Sequence, residues 1–464
     1  MRRVAGGLFV LAAGILLMAG LQHRFRPLAP EGTYFQEHSS EDMMQTLSLL
    51  DLREHPVESL LVLHIQPPLL DTVRAGLARL WPDAGPRPLV RRVDRGLYLL
   101  WALVYAATGA LVFLWLERLT PSVWIAGLAA VAFLLHPAAI YYATFLEGTL
   151  LTSFGILWLS YALWRMPARR ATGSSPPSIV PARGAMLCVA GAYVLLFLVR
   201  SIFQWPALLV LLAALRLRRA PRRSVLAVGL CCGSVVGLYM LKQHLVLGTT
   251  STSSFAGMSC LQSLGEEPAI GLTAPTDTPL GPLFPRLFPD GPPPALTRET
   301  KIRGAHNFNH LADLGNGRAL EVLCRERLLT QPLRRTAAAW AENASLFLEP
   351  SSRYVTPHVI VDRLPWRGVY DWVFSGPRLV LLLAAAVLVW VRGRRQILGG
   401  LGLALPVLLV SAASVLFERG ENMRFKFFVE PVLYVFLVTQ ATALARALRR
   451  RRAVRERAAV ETAS

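Results

Sequence analysis

Apolar residues along this chain gather into runs near the roughly twenty residues that a helix needs to cross a hydrocarbon layer. They fall at about 4–20, 96–117, 121–140, 147–164, 185–199, 203–217, 223–244, 377–392, 396–416 and 427–447. The pattern predicts about ten membrane helices, and the block 185–217 reads either as one broken segment or as two helices meeting at Arg200. Two stretches, about 21–95 and about 245–376, are too long to be simple connections. They divide the chain into an N-terminal membrane module (1–244) with its first outer loop, an outer lobe (245–376), and C-terminal helices with a basic tail (377–464). The Ala168–Arg183 segment, with a Gly-Ser-Ser-Pro-Pro core, reads as a flexible linker.

Within the first outer stretch, Ser39 and Asp42 make a capping-box-like start, and Met43, Met44, Leu47 and Leu50 follow at helical spacing. A surface helix is predicted from Glu41. After Pro67-Pro68, an apolar face of Leu69, Leu70, Val73, Leu77, Leu80 and Trp81 lies opposite Asp71, Arg74 and Arg79. That pattern predicts a helix lying in the membrane interface. In the second stretch, Thr273–Pro294 is crowded with proline and glycine and reads as irregular, whereas Leu320–Trp340 has the composition of an amphipathic helix. The expected fold class is an all-α polytopic membrane protein with interfacial helices in the first outer loop and a mixed extracytoplasmic lobe.

Composition agrees with that class. Of 464 residues 53% are hydrophobic and only 17% charged, and the mean hydropathy is +0.43, which excludes an ordinary soluble domain. The net charge of +20 does not imply nucleic acid, because the arginines sit in short loops between apolar runs. Arg2 and Arg3, Arg165–Arg183, Arg216–Arg223, Arg392–Arg395 and Arg446–Arg457 all fall on one side of a ten-span arrangement. The positive-inside bias then puts both termini in the cytoplasm. With Arg2 and Arg3 before it and no clear small-residue cleavage site after it, the first helix reads as a retained anchor. Arginine-heavy, lysine-poor usage points to a GC-rich bacterial genome and an inner or plasma membrane. Cys188, Cys231 and Cys232 fall in predicted spans as small apolar residues; Cys260 and Cys324 share the outer lobe, where an oxidising compartment would allow a disulfide.

Against this apolar background a few polar residues need a reason. Glu147 ends Tyr141-Tyr142-Ala143-Thr144-Phe145-Leu146-Glu147 at the outer mouth of the fourth run, and a carboxylate at mid-bilayer costs about 2.5 to 3.5 kcal/mol. It is either a helix-start acid favoured by the dipole or a group facing a polar cavity. Glu41 and Asp42 are likewise first-turn acids of a surface helix or a catalytic pair. Arg200, Arg424 and Lys426 stand at the outer ends of runs, against the inward bias. Local acids (Glu418, Glu421, Glu430) or lipid headgroups would partner them, or they would clamp a phosphate, with Lys242 a weaker member. His306, His310 and Asp313 have a metal-compatible spacing in a turn-rich segment without further ligands, and no metal is expected. Asn343-Ala344-Ser345 matches a glycosylation sequon only at the level of chance. Walker-loop, zinc-finger and serine-hydrolase patterns are absent.

Taken in order, these residues resemble the GT-C membrane glycosyltransferases, the superfamily of protein O-mannosyltransferases and of bacterial enzymes that use polyprenyl-phosphate sugars. In that family an acid in the first outer loop precedes a Lys/Gln-Pro-Pro-Leu stretch, here Glu41-Asp42 and Gln66-Pro67-Pro68-Leu69. A second acid tops a later helix, here Glu147; a basic residue stands six before a proline, here Arg200 and Pro206; and a late outer arginine precedes a proline-bearing span, here Arg424 and Pro431. The chain departs from the pattern in reading Glu-Asp instead of Asp-Glu, in a shorter acid-to-proline distance, and in Gly148 where a proline is frequent.

The resemblance implies a polyprenyl-phosphate-linked sugar donor, a lipid bilayer setting, and an acceptor that is a glycan, lipid or protein, with no cofactor. It further implies Glu41 or Asp42 as general base, Glu147 orienting acceptor or sugar, Arg200, Arg424 and Lys426 on the donor phosphate, and His64 and Gln66 as substrate contacts. A transporter or flippase for lipid-linked glycans is the rival reading, for which mid-span ionisable residues and internal repeats would be expected.

Overall fold

The computed structural model describes residues 2–25, 39–166, 180–267, 278–354, 360–393 and 397–463. The Gly-Ser-Ser-Pro-Pro linker, positions 273–277 of the irregular stretch and Arg394 and Arg395 lie outside them. Twenty α-helices follow in chain order. The first, α1, is Arg2–Phe25; α2 (Leu49–Glu54), α3 (Pro56–Leu61) and α4 (Leu69–Arg79) form the first outer loop; and α5 (Pro86–Leu119), α6 (Val123–Leu134), α7 (Pro137–Thr144), α8 (Thr149–Arg165), α9 (Val180–Val199), α10 (Trp205–Leu217) and α11 (Arg222–Leu247) complete the N-terminal module. The lobe holds α12 (Ala256–Ser263), α13 (Phe284–Leu287), α14 (Pro294–Thr297), α15 (Leu311–Thr330), α16 (Leu333–Leu348) and α17 (Arg367–Val373). The last three are α18 (Gly376–Gly393), α19 (Ile397–Phe417) and α20 (Asn422–Ala463). Among the described residues there is no strand, only the isolated bridge Thr300–His306, so the lobe is helical and not mixed.

The predicted apolar runs fall on these helices, but the run 121–140 is split between α6 and α7, and the 185–217 block is two helices, with Arg200 and a 3-10 turn (Ser201–Phe203) between α9 and α10. Four helices are long and apolar enough to cross a membrane: Val4–Phe25, Pro86–Leu119, Arg222–Leu247 and Asn422–Ala458. Counting the bent pairs α6–α7 (54°) and α17–α18 (59°) as one span each makes six. The chain is therefore a helical membrane protein with four to six such spans, while the apolar stretches Gly184–Val199, Trp205–Leu217 and Leu403–Phe417 are shorter.

At the centre stands α8, apolar on all sides and buried along nearly its whole length, as a helix without a polar face must be. It packs against α5, α9, α19 and α20. One contact sets the register of α20 on α8. Pro431 lies inside α20 and cannot donate to the carbonyl four residues back; that carbonyl, of Phe427, instead accepts from Ser153 Oγ of α8 at 3.1 Å.

Two predicted helices differ from expectation. Residues 40–45 form turns, and the helix starts only at Leu49, because buried side chains take the backbone groups that a helix would use. The Glu41 carboxylate accepts from Leu49 N, Asp71 accepts from Leu47 N, and Arg74 donates to Leu47 O. Helix α4 does form, yet its buried face carries Asp71 and Arg74, both fully enclosed, while Leu80 is 64% exposed. Asp71 and Arg74 of the supposed solvent face form an internal polar network, while Arg79 stays exposed.

In the lobe, the predicted Leu320–Trp340 helix is broken at Gln331-Pro332, since the proline ring disfavours helical geometry before it and lacks a donor. Cys260 and Cys324 form a disulfide between α12 and α15. Gly257 makes the same approach possible: a Cβ there would lie 2.3 Å from the backbone nitrogen of Glu321. Asn343 of the sequon is fully buried and donates to Ser263 O and Val415 O, joining the lobe to α19.

Candidate functional site

Glu147 sits directly before Gly148, the residue that opens α8, and is buried. Two arginines from distant parts of the chain reach the same atom. Arg200, between α9 and α10, places a terminal nitrogen 3.0 Å from Glu147 Oε2, and Arg424, in the first turn of α20, does so at 3.0 Å. Gly148 permits this approach: a Cβ there would stand 2.9 Å from Val199 Cγ1, so any larger residue would push the end of α9 outward.

The rest of the cluster surrounds these three. Thr149 donates to Glu147 and accepts from Arg200 at 3.1 Å. Gln45, from the first outer loop, accepts from Arg200 at 3.0 Å. Arg424 pairs with Glu421 three residues earlier, as well as with Glu147. Its guanidinium lies 5.2 Å from the Tyr354 ring centre, and that of Arg200 5.6 Å from Phe428. The Nε atoms of both arginines are buried and have no hydrogen-bond partner among the described residues. Orphaned charged donors are costly in a native interior, and both belong to guanidiniums that meet the same carboxylate oxygen.

Lys426 stands apart from this cluster. Two residues of helix turn a side chain by roughly 200°, so Lys426 faces away from Arg424. It donates to Glu349 O and to Phe374 O (2.7 Å) and lies 3.6 Å from Glu430. Lys242 also spends its charge on backbone, with Leu61 O at 2.9 Å.

Glu41 and Asp42, adjacent in sequence, occupy different surroundings. Glu41 is fully enclosed and saturated by Arg74 (2.8 Å), Leu49 N, Ser48 and Ile302 N. Burial pushes its carboxyl above the ordinary carboxylate range against the pull of Arg74. Asp42 keeps 31% of its side chain exposed and meets a single arginine, Arg303, at 3.0 Å. It stands three residues before Gln45, within roughly 11 Å of it along the chain at 3.8 Å per residue. Loop 40–46 thus carries both Gln45, which meets Arg200, and Asp42, whose carboxylate meets Arg303 of the lobe.

His64 and Gln66 lie in the segment between α3 and α4. His64 is buried, its Nε2 donating to Asn309 O at 3.0 Å and its Nδ1 accepting from Ser254 at 2.9 Å, while its backbone N–H meets Asn309 Oδ1. It ties the first outer loop to the lobe. Burial lowers its pKa from 6.5 to about 3, so the folded protein keeps it neutral. Because the unfolded chain takes up this proton near pH 6.5 and the folded one only near 3, stability is full above pH 6.5 and falls as pH drops through that window. The melting temperature is expected to decline from pH 7 to pH 5, and to decline less in His64→Gln. Gln66 is buried, and its Nε2 has no partner among the described residues.

His306 pairs with Asp313 at 2.9 Å and His310 caps α15 by accepting from Ala312 N, so the two histidines serve different contacts. Sequence reasoning did not single out Thr149, Gln45 or Tyr354. Thr149 was signalled only by its place two residues after Glu147, and Tyr354 by nothing local. Comparison with protein-family models, with curated proteins and with solved structures finds no match for this chain.

Proposed function

We propose that the chain is an integral membrane glycosyltransferase of the GT-C type, moving a sugar from a polyprenyl-phosphate donor to an acceptor on the extracytoplasmic face by inverting displacement. The observation that carries this reading is the convergence of Arg200 and Arg424 on Glu147, with both Nε donors buried and unpaired. A donor phosphate would accept from them. In the displacement, Asp42 takes the proton of the acceptor hydroxyl, the hydroxyl oxygen bonds to the anomeric carbon, and the bond from that carbon to the phosphate oxygen breaks. The leaving polyprenyl phosphate takes the electron pair, and the arginines stabilise its growing charge. Glu147 holds the two guanidiniums side by side and orients them.

The sidedness has independent support in the Cys260–Cys324 disulfide, which is characteristic of an oxidising compartment. With the lobe outside, an arrangement in which all ten apolar runs cross would put both termini in the cytoplasm and the arginine-rich end of α20 in an anionic inner leaflet's field. A bacterial inner or plasma membrane fits that placement.

The test is mass spectrometry of lipid co-purifying with the full-length protein, followed by a transfer assay. Polyprenyl phosphate or its glycoside is expected in the wild type and absent from Arg200→Gln/Arg424→Gln. Retention of the same lipid by the double variant would remove the arginines from the site. A lipid bound by the wild type with its sugar–phosphate bond left intact in every acceptor tried would point to a flippase instead.

A further inference from the structure

A chamber lined by three arginines and two acids lies outside the Glu147 cluster and takes no part in the proposed transfer. A cavity of about 390 Å³ opens where the 3-10 turn Ser351–Arg353 meets the elbow between α17 and α18, and Arg353, Arg367, Arg378, Glu349, Asp371 and Trp372 contribute to its walls. Its depth in the membrane follows from its neighbours. Along α18, Leu381 and Leu388 are exposed, and at its head α17 exposes Val369 and Trp372. Bare leucines on a helix that together with α17 is long and apolar enough to cross a membrane call for lipid, and an exposed tryptophan at the end of such a helix favours the headgroup level. The cavity therefore opens where lipid phosphates lie.

Its charges are unevenly committed. Asp371 accepts from Ser352 at 2.6 Å and from Arg367 at 3.1 Å, and Arg353 is 3.7 Å away. Arg367 is further held by Asp362. Arg353, by contrast, keeps 53% of its side chain exposed. Arg378 gives one N–H to Trp372 O at 3.1 Å and lies 4.8 Å from that indole's centre, leaving most of its five donors available.

We propose that this cavity binds the phosphoryl headgroup of an anionic bilayer lipid, with Arg353 and Arg378 gripping the phosphate oxygens, the Arg367–Asp371 pair forming a fixed wall, and Trp372 lying against the glycerol and first methylenes. The inference does not rest on the glycosyl-transfer reading. It is tested on the full-length protein in nanodiscs of mixed phosphatidylglycerol and phosphatidylcholine, by native mass spectrometry of the lipid retained after exchange into neutral detergent. Two arginines at about 1 kcal/mol each predict that Arg353→Gln/Arg378→Gln retains about thirtyfold less phosphatidylglycerol. Arg325→Gln/Arg335→Gln, exposed on α15 and α16, should leave it nearly unchanged. Arg378 is exposed, so Arg378→Glu serves as a second variant and should lower retention below that of Arg378→Gln at an unchanged melting temperature. Unchanged retention in the double variant overturns the proposal. So does displacement of the lipid by an equal concentration of glycerol 3-phosphate, which would mark a site for a soluble anion.

Discussion

Replacing Arg424 with glutamine is expected to slow sugar transfer from a polyprenyl-phosphate donor by about a hundred- to a thousandfold, the range seen when one preorganised donor is removed from a developing negative charge. The size follows from the geometry. Arg424 is buried, already aligned by Glu147, Glu421 and the Tyr354 ring, and carries an Nε with no partner, so no reorganisation opposes its action on an anion. Arg200→Gln should cost a similar factor. Lysine at either position keeps the charge but loses the fork that reaches Glu147 and a second acceptor together, so it should rescue little. Glu147 retains the other arginine and Thr149, but a buried ion pair is broken, so the variant should also melt lower and transfer is compared per folded molecule. A steady-state assay at saturating acceptor, paired with a thermal melt, reads both quantities; transfer within about threefold of wild type would remove the phosphate role.

The second large effect separates two neighbouring acids. Asp42→Asn is expected to lower transfer by about a hundred- to ten-thousandfold, as loss of a general base does, with the melting temperature held. Its carboxylate is partly exposed and meets only Arg303, so little of the fold depends on it. Glu41→Gln should do the reverse. It removes one partner of a fully enclosed Glu41–Arg74 pair, which costs about 3 kcal/mol or more. Arg74 would keep only Asp71 as a charged partner, and the backbone donors of Leu49 and Ile302 would face a neutral amide. Activity would then fall with the folded fraction. If Glu41→Gln melted like wild type while Asp42→Asn kept full transfer, the base would have to be sought elsewhere.

Much of this site could be read locally, and the parts that could not share a cause. Glu147, Arg200 and Arg424 stood out because an ionisable group next to an apolar run is expensive wherever the chain folds. Lys426 looked equivalent to Arg424 from its position alone, although helical rotation already implied opposite directions. The surface helix expected at Glu41 failed because Asp71 and Arg74, on another helix, took the N–H and carbonyl of Leu47, and the Glu41 carboxylate took the N–H of Leu49. Local periodicity contains no information about such partners. Helix α4 shows the same limit: its apolar and polar stripes were both present, but which one faces inward depended on Glu41 and Leu47 waiting for Arg74.

The sequence by itself determined the class of molecule and the position of nearly every long helix, since each apolar run must leave water and satisfy its own backbone. It also marked the outer lobe and the few polar residues that such a protein has to account for. Tertiary structure alone decided that Arg200 and Arg424 share one carboxylate oxygen, that Glu41 is sealed while Asp42 stays open, and that Cys260 meets Cys324. The physical reason is range. Burial and periodicity act over a few residues, whereas these pairings depend on how helices far apart in the chain pack around α8, where small contacts at Gly148 and Ser153 set the distances.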